Sequence, residues 1–248
     1  MKKEVVIKRL EDDHFIPDLV KMHQEIFSDN DLFGKLIYFD DNFPNYLKSI
    51  LNSRNDYFFG VFSDDIISGF VHFKKAENQL FLNNIYLNEN IRGGGTGTYI
   101  INYTLQKLLT EDYLLEYLML DVFESNKLAK KWYEKIGLSA ESLSEWGITE
   151  KKYKDERNKD SFVISKDDNG FTGLFLNERK VATIIQNESV IVHDQCALDY
   201  DSEIPFIYKR TDMETDFEEI TFSKFDTSIR MKGKISTILE KIKCITSK

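Results

Sequence analysis

The first strongly patterned stretch, EVVIKRL at residues 4–10, concentrates β-branched side chains and predicts a strand. Over DDHFIPDLVKMHQEIFSDN (12–30) the period changes. Ile16, Leu19, Val20, Met22 and Ile26 fall near one face of a helix, and Pro17 is tolerated in its first turn. DLFGKLIYFDDNFPNYLKSILNS (31–53) mixes aromatics with acids and predicts a second helix over its latter half. YFFGVFSDDIISGFVHFKK (57–75) reads as a hairpin turning at Ser63, Asp64 and Asp65, and NQLFLNNIYLNEN (78–90) as the next strand.

Beyond a glycine run, Tyr99, Ile100, Tyr103, Leu105, Leu108 and Leu109 support a helix from Gly95 to about Thr110. EYLMLDVFES (116–125) is almost continuously apolar, as a buried strand should be. NKLAKKWYEKIGL (126–138) follows as a helix, with Asn126 a candidate N-cap and Gly137 a candidate C-cap. From about Lys151 the character changes. SFVISKDDNGFTGLFLNERKVATIIQNESVIVHD (161–194) is a run of short strands with turn signals at Asp168-Asn169-Gly170, Asn177-Glu178 and Asn187-Glu188, and ISTILEKIK (235–243) predicts a terminal helix. The expectation is therefore an α/β (α+β) fold in two parts. Residues 1–152 form a mixed, mostly antiparallel sheet flanked by helices, and 153–248 form a smaller β-rich domain, joined by the charged TEKKYKDERNKD (149–160).

Composition narrows the class. At 248 residues with a 42% hydrophobic share, the chain can bury a sizeable core. The start lacks an apolar segment of the secretory kind, and no run approaches the roughly 20 apolar residues that span a bilayer, so a cytoplasmic protein without a membrane partner is expected. The two cysteines, Cys196 and Cys244, have no CxxC spacing, which argues against a zinc site or disulfide framework. His14, His23, His72 and His193 are scattered without ligand spacing and read as structural or exposed, so no metal is expected. A net charge of −9 weighs against nucleic acid and suits either plain solubility or a cationic acceptor.

The concentrated chemistry lies in IYLNENIRGGGTGTYIINYTLQKLL (85–109), where Gly93, Gly94, Gly95 and Gly97 occupy four of five positions before a helix. Glycine is entropically costly, so such a cluster implies that side chains would obstruct something. A strand, a glycine turn and a helix start form an anion-binding device, and Arg92 adds a forked positive charge suited to phosphate oxygens. No lysine follows in the Walker position, and Thr98 stands where a dinucleotide fingerprint needs its third glycine.

What remains is R-x-x-G-x-G on Arg92, Gly95 and Gly97, which resembles the signature loop of the GNAT superfamily of acetyl-CoA-dependent N-acyltransferases. LDVFESNKLAKKWYEKIGL (120–138) resembles that family's second motif, with Asn126, Ala129, Tyr133, Lys135 and Gly137 at helical spacing. The resemblance covers about residues 1–150. It implies that the amides of Gly93, Gly94, Gly95, Thr96, Gly97 and Thr98, with Arg92, hold the pyrophosphate of acetyl-CoA. It also implies that the strand segment Ile85, Tyr86, Leu87 pairs through its backbone with the cofactor's amide arm, and that Asn126 contacts the cofactor or simply caps its helix.

Acyl transfer to an amine needs a neutral amine, donors for the developing oxyanion and a proton for the departing thiolate. Tyr133 occupies the position that the resemblance implies is near the sulfur, and its phenol suits proton donation; the other reading is an ordinary packed aromatic. Asp121, Glu124 and Glu89 are alternative carboxylates for a base, and none is singled out. The resemblance implies an acceptor side in SDNDLFGKLIYFDDNFPNYL (28–47), where Phe33, Tyr38, Phe39 and Phe43 accompany Asp29, Asp31, Asp40 and Asp41, either as cation-binding groups or as core and surface. After Gly137, LSAESLSEWGITEKKY (138–153) shows no clear closing strand. The leading expectation is an N-acetyltransferase acting on an amine-bearing small molecule or a protein or peptide by direct attack in a ternary complex. The alternatives are a non-catalytic CoA-binding sensor and an assembly role for the β-rich part, including completion of a homodimer.

Overall fold

The computed structural model describes residues 4–28, 31–151, 161–186, 188–200, 202–210 and 220–246. The fold is mixed α/β, with a mostly antiparallel sheet and helices. By compactness the chain divides into two interleaved units, Met1–His23, Lys48–Ser142 and Ser228–Lys248 in one, and Gln24–Leu47 and Leu143–Thr227 in the other.

The first unit opens with β1 (Val6–Arg9), a short 3-10 turn and α1 (Ile16–Glu25), whose first turn accepts Pro17 because the N–H donor that proline lacks would have no intrahelical acceptor there. α2 (Phe43–Leu51) leads into β2 (Asp56–Ser63), β3 (Ile66–Ala76) and β4 (Gln79–Leu87), an antiparallel meander with Asp64 and Asp65 at positive φ in the first turn, as the hairpin reading expects. α3 (Thr96–Glu111) crosses to β5 (Tyr117–Phe123), which is parallel to β4, as a helical crossover allows. α4 (Lys127–Ile136) follows, and Gly137 closes it at φ 111°.

Chain from far down the sequence completes this unit. The latter part of β12 (Ile220–Lys234) pairs antiparallel with β5 from Ser228 to Lys234, and α5 (Ile235–Thr246) packs beside α3 and α4. One sheet face presents Phe59, Val61, Val71, Phe73, Leu80 and Leu82. Against it lie Ile100, Ile101, Leu105 and Leu108 of α3, Ile136 of α4, and Ile235, Ile238 and Ile242 of α5, all buried. Burying a side chain of this size contributes roughly 1.5–3 kcal/mol. That α5 belongs to this core is a result that the sequence pattern, which carries only its periodicity, could not supply.

The second unit runs from β6 (Ser139–Lys151, from Leu143 on) through β11 (Phe206–Arg210), β10 (Ser189–Val192), β9 (Arg179–Ile185) and β8 (Thr172–Leu176) to β7 (Phe162–Lys166). Turns at Gly170 and at Asn177-Glu178 adopt positive φ, in agreement with the turn chemistry, while Asn187 lies outside the described residues. β6 corrects the expectation that no closing strand follows Gly137. It escapes apolar-alternation reading because polar Ser144 and Thr149 are buried on it, and its ladder to β11 supplies the order instead. The core is Leu174, Val181, Ala182, Ile184, Val190, Val192, Leu198 and Phe206.

Gln24–Leu47, the segment expected to carry the acceptor side, packs within this second unit. Ser189 Oγ donates to the Lys35 carbonyl at 2.8 Å, the Asn42 amide donates to the Asn169 carbonyl, and Tyr46 meets Phe171 edge-on at 5.4 Å. Of its aromatics, Phe43 is fully buried, Tyr38 stacks on Phe27 and meets Phe43 edge-on, Phe39 contacts Phe33, and Phe33 is 57% exposed. Asp40 caps the turn through the Asn42 amide, Asp31 and Asp41 are exposed, and Asp29 lies outside the described residues.

Candidate functional site

The residues expected to meet the cofactor, with Tyr133, fall on the first unit, around the ends of β4 and β5. The two strands pair over Gln79–Leu82 and Tyr117–Leu120 only, although both continue for three or more residues. The cause is visible on the other edge of β4. The register with β3 shifts between His72 and Phe73, so that Asn83 is an extra residue, a bulge that bends the strand.

Beyond the bulge, Asn88 N–H donates to the Ser68 carbonyl at 2.8 Å, which makes Asn88 a hydrogen-bonded position toward β3. Antiparallel alternation then directs the backbone groups of Leu87 and Ile85 to the opposite edge, past the end of the β5 ladder. Ile85 and the Leu87 N–H are therefore placed as a strand edge open to an added hydrogen-bonding partner, while the Leu87 carbonyl on the same edge accepts from Arg92. Tyr86 between them is buried.

Arg92 arrives through a 3-10 turn at Glu89–Ile91. Its Nε donates to the Leu87 carbonyl and its guanidinium lies over the Tyr86 ring at 5.4 Å, so the cation is pinned to the strand edge while the side chain stays solvent-exposed. Gly93, Gly94 and Gly95 follow at φ 80°, 55° and 86°, three successive left-handed residues, which explains why side chains are excluded. All three are exposed.

Thr96 N–H is turned back onto the Gly93 carbonyl at 3.0 Å, which removes it from the set of outward amides that the resemblance implied. Gly97 and Thr98 lie in the first turn of α3, where amides have no intrahelical acceptor and the helix dipole is positive. Gly97 has a second reason to be glycine, since a Cβ there would stand 3.2 Å from the Trp132 ring. The Thr98 hydroxyl is buried and accepts from Trp132 Nε1 at 3.1 Å, so only its backbone is placed to meet a ligand.

Asn126 caps α4 by accepting from Ala129 N–H at 3.1 Å and is exposed. Tyr133 is buried, and among the described residues its hydroxyl has no hydrogen-bond partner; burial holds its pKa far above the ordinary phenol value, so it keeps its proton. Of the carboxylates weighed as a base, Asp121 is gripped by both Nε and Nη2 of Arg230, while Glu89 and Glu124 are exposed.

The histidines divide more sharply than their spacing suggests. His14 is exposed beside Asp12, and His193 shares a hydrogen bond with Thr183 at 2.8 Å. His23 and His72 are buried, with His72 Nε2 at 2.8 Å from Asp56 Oδ1 and its ring stacked on Phe58. Sequence reasoning missed this group, for it is assembled from α1, β2 and β3.

Over residues 16–138 the chain belongs to the Acetyltransferase (GNAT) family. No curated protein sequence matches it. In structure it is similar to a GCN5-related N-acetyltransferase from Sphaerobacter thermophilus, at 9% identity, TM-score 0.58, covering 93% of this chain and 96% of that one. It is also similar to a spermidine N-acetyltransferase chimera from Vibrio cholerae and hSSAT, at 12% identity, TM-score 0.52, covering 95% and 98%. At these identities the likeness concerns the fold. Among the described residues no helix is long and apolar enough to cross a membrane.

Proposed function

We propose that the first unit binds acetyl-CoA and transfers its acetyl group to a primary amine. The observation that carries this reading is the adjacency of an open strand edge, Ile85–Leu87, to a three-glycine left-handed turn at the start of α3. A phosphate-bearing ligand with an amide-containing arm needs both features, and the residues present fit it, since nothing stands within 4 Å of a Cβ built at Gly93.

Bound acetyl-CoA supplies an acyl group activated as a thioester. Arg92 and the amides of Gly94, Gly95, Gly97 and Thr98 offer phosphate oxygens charge and donors. The outward backbone of Ile85 and the Leu87 N–H orient the arm, and Asn126 retains amide protons for a further contact. Burial keeps the Tyr133 phenol protonated, and we assign it as the hydrogen-bond donor that stabilises the leaving thiolate. Its raised pKa opposes complete proton loss, so the thiolate takes its proton as its charge develops or from water. No side chain is assigned as base, because Asp121 is already neutralised by Arg230. Attack then falls to an amine that arrives neutral or loses its proton to water.

The net charge of −9 supports a cationic acceptor, and the spermidine N-acetyltransferase name of one structural neighbour agrees with a polyamine among the candidates. A lysine or N-terminal amine of a protein suits the same chemistry, and a cytoplasmic setting supplies all of them. The test is thiol release from acetyl-CoA against a panel of polyamines, amino sugars and peptides, with Tyr133→Phe alongside. Amine-dependent release that Tyr133→Phe lowers supports the reading. Tight cofactor binding with no release on any amine favours a sensor instead.

A further inference from the structure

The two buried histidines converge on one short piece of β4. His72 presents Nε2 to Asp56 Oδ1 at 2.8 Å, and its other ring nitrogen, Nδ1, lies 3.4 Å from Asn83 Nδ2. With Asp56 ionised, Nε2 carries the proton and Nδ1 must accept, so the Asn83 amide is its donor. His23 presents Nδ1 to the Leu19 carbonyl at 2.7 Å, which fixes its proton there, and its ring also hydrogen-bonds the side chain of Asn84. Asn83 is the extra residue of the bulge, and Asn84 is the residue opposite His72 in the β3 ladder.

These hydrogen bonds lie among the buried side chains Phe58, Phe70, Leu19 and Met22. Buried polar groups placed among apolar ones are costly unless satisfied, and a satisfied network fixes geometry. What this one fixes is the point at which β4 leaves β5, two residues before the open edge begins.

We propose that His72, braced by Asp56, and His23, braced by Leu19, are positioning residues that hold the Asn83-Asn84 bulge and thereby set the Ile85–Leu87 edge for the cofactor arm. This rests on the acetyl-CoA reading above. Neither histidine touches the ligand; each acts through an asparagine.

The experiment combines two readouts on His72→Phe and His23→Phe, since a phenyl ring retains stacking and loses the hydrogen bonds. Desulfo-CoA affinity is measured by calorimetry below the melting transition, and backbone amide shifts are recorded on ligand-free protein. The expected result is an affinity loss of about tenfold or more, because a misplacement near 1 Å is enough for that. It comes with shifted amides at Ile85 and Leu87 and unmoved amides at the far end of α3. A folded variant with wild-type affinity and unmoved Ile85 and Leu87 amides overturns the proposal.

Should the phenylalanine variants fail to fold, Asn83→Ala removes the same contact from an exposed residue and carries the same expectations. If wild type itself does not bind desulfo-CoA, the acetyl-CoA reading fails. The amide shifts alone then decide whether the histidines set the edge.

Discussion

Trp132 Nε1 donates to Thr98 Oγ1 at 3.1 Å, and the same indole closes over Gly97. The bond ties the first turn of α3 to α4, so the glycine entry and the helix that carries Tyr133 are held as one piece. Trp132→Phe leaves a buried hydroxyl without its donor and should cost about 1–3 kcal/mol. In a chain of this size that corresponds to a melting temperature lower by roughly 2–4 °C per kcal/mol. Thermal denaturation checks it, and an unchanged transition would mean the bond is energetically idle.

Arg92 should tolerate lysine poorly. Its Nε bond to the Leu87 carbonyl and its place over Tyr86 both depend on a planar guanidinium, and a lysine ammonium cannot reproduce the pair. Arg92→Lys is expected to weaken cofactor binding by about tenfold, near 1.4 kcal/mol, while leaving the exposed site's contribution to stability small. Equal affinity for the two proteins would remove Arg92 from the account.

Tyr133→Phe should lower turnover by about a hundredfold if its phenol donates to the leaving thiolate, with little change in cofactor affinity. Because the hydroxyl lacks a partner among the described residues, stability should hold or rise slightly. Asp121→Asn is the contrast. Its carboxylate belongs to an exposed pair with Arg230, so the substitution should cost under about 1 kcal/mol and leave turnover intact.

Stability should fall on mild acidification. His23 is buried and its pKa is lowered to about 3, chiefly by desolvation, and His72 is lowered for the same cause. In the unfolded chain both titrate near 6.5, so below that pH the unfolded state binds protons that the folded state refuses. His23 alone then removes about 1 kcal/mol between pH 7 and 5.5, and His72 adds to it in the same direction. The lowered carboxylates Asp56 and Asp167 lose their contribution only at more acid pH, outside this window. Urea titrations at the two pH values, with His23→Gln for comparison, check the sign. Equal midpoints for wild type would refute it.

The order of elements up to residue 137 was legible because each carries its own period and punctuation. Pro17 opens α1, Asp64-Asp65 turn the hairpin, and Gly137 closes α4. The glycine turn was legible for the same reason, since three left-handed residues admit little else. Thr96 and Thr98 were only half legible. Their position in the turn is local, but the Gly93 carbonyl and the Trp132 indole that occupy them are not read from spacing. Least legible was what distant segments do together: β6 with buried serine and threonine, α5 in the first core, and the histidines at the bulge.

The most direct measurement is a calorimetric titration of acetyl-CoA into the wild-type protein and into an Arg92→Ala, Gly95→Asp double variant. If the glycine turn holds the pyrophosphate, micromolar binding to the first and none to the second is expected, because the substitutions remove the cation and place a carboxylate at the helix entry. No binding to wild type, or equal binding to both, would contradict it.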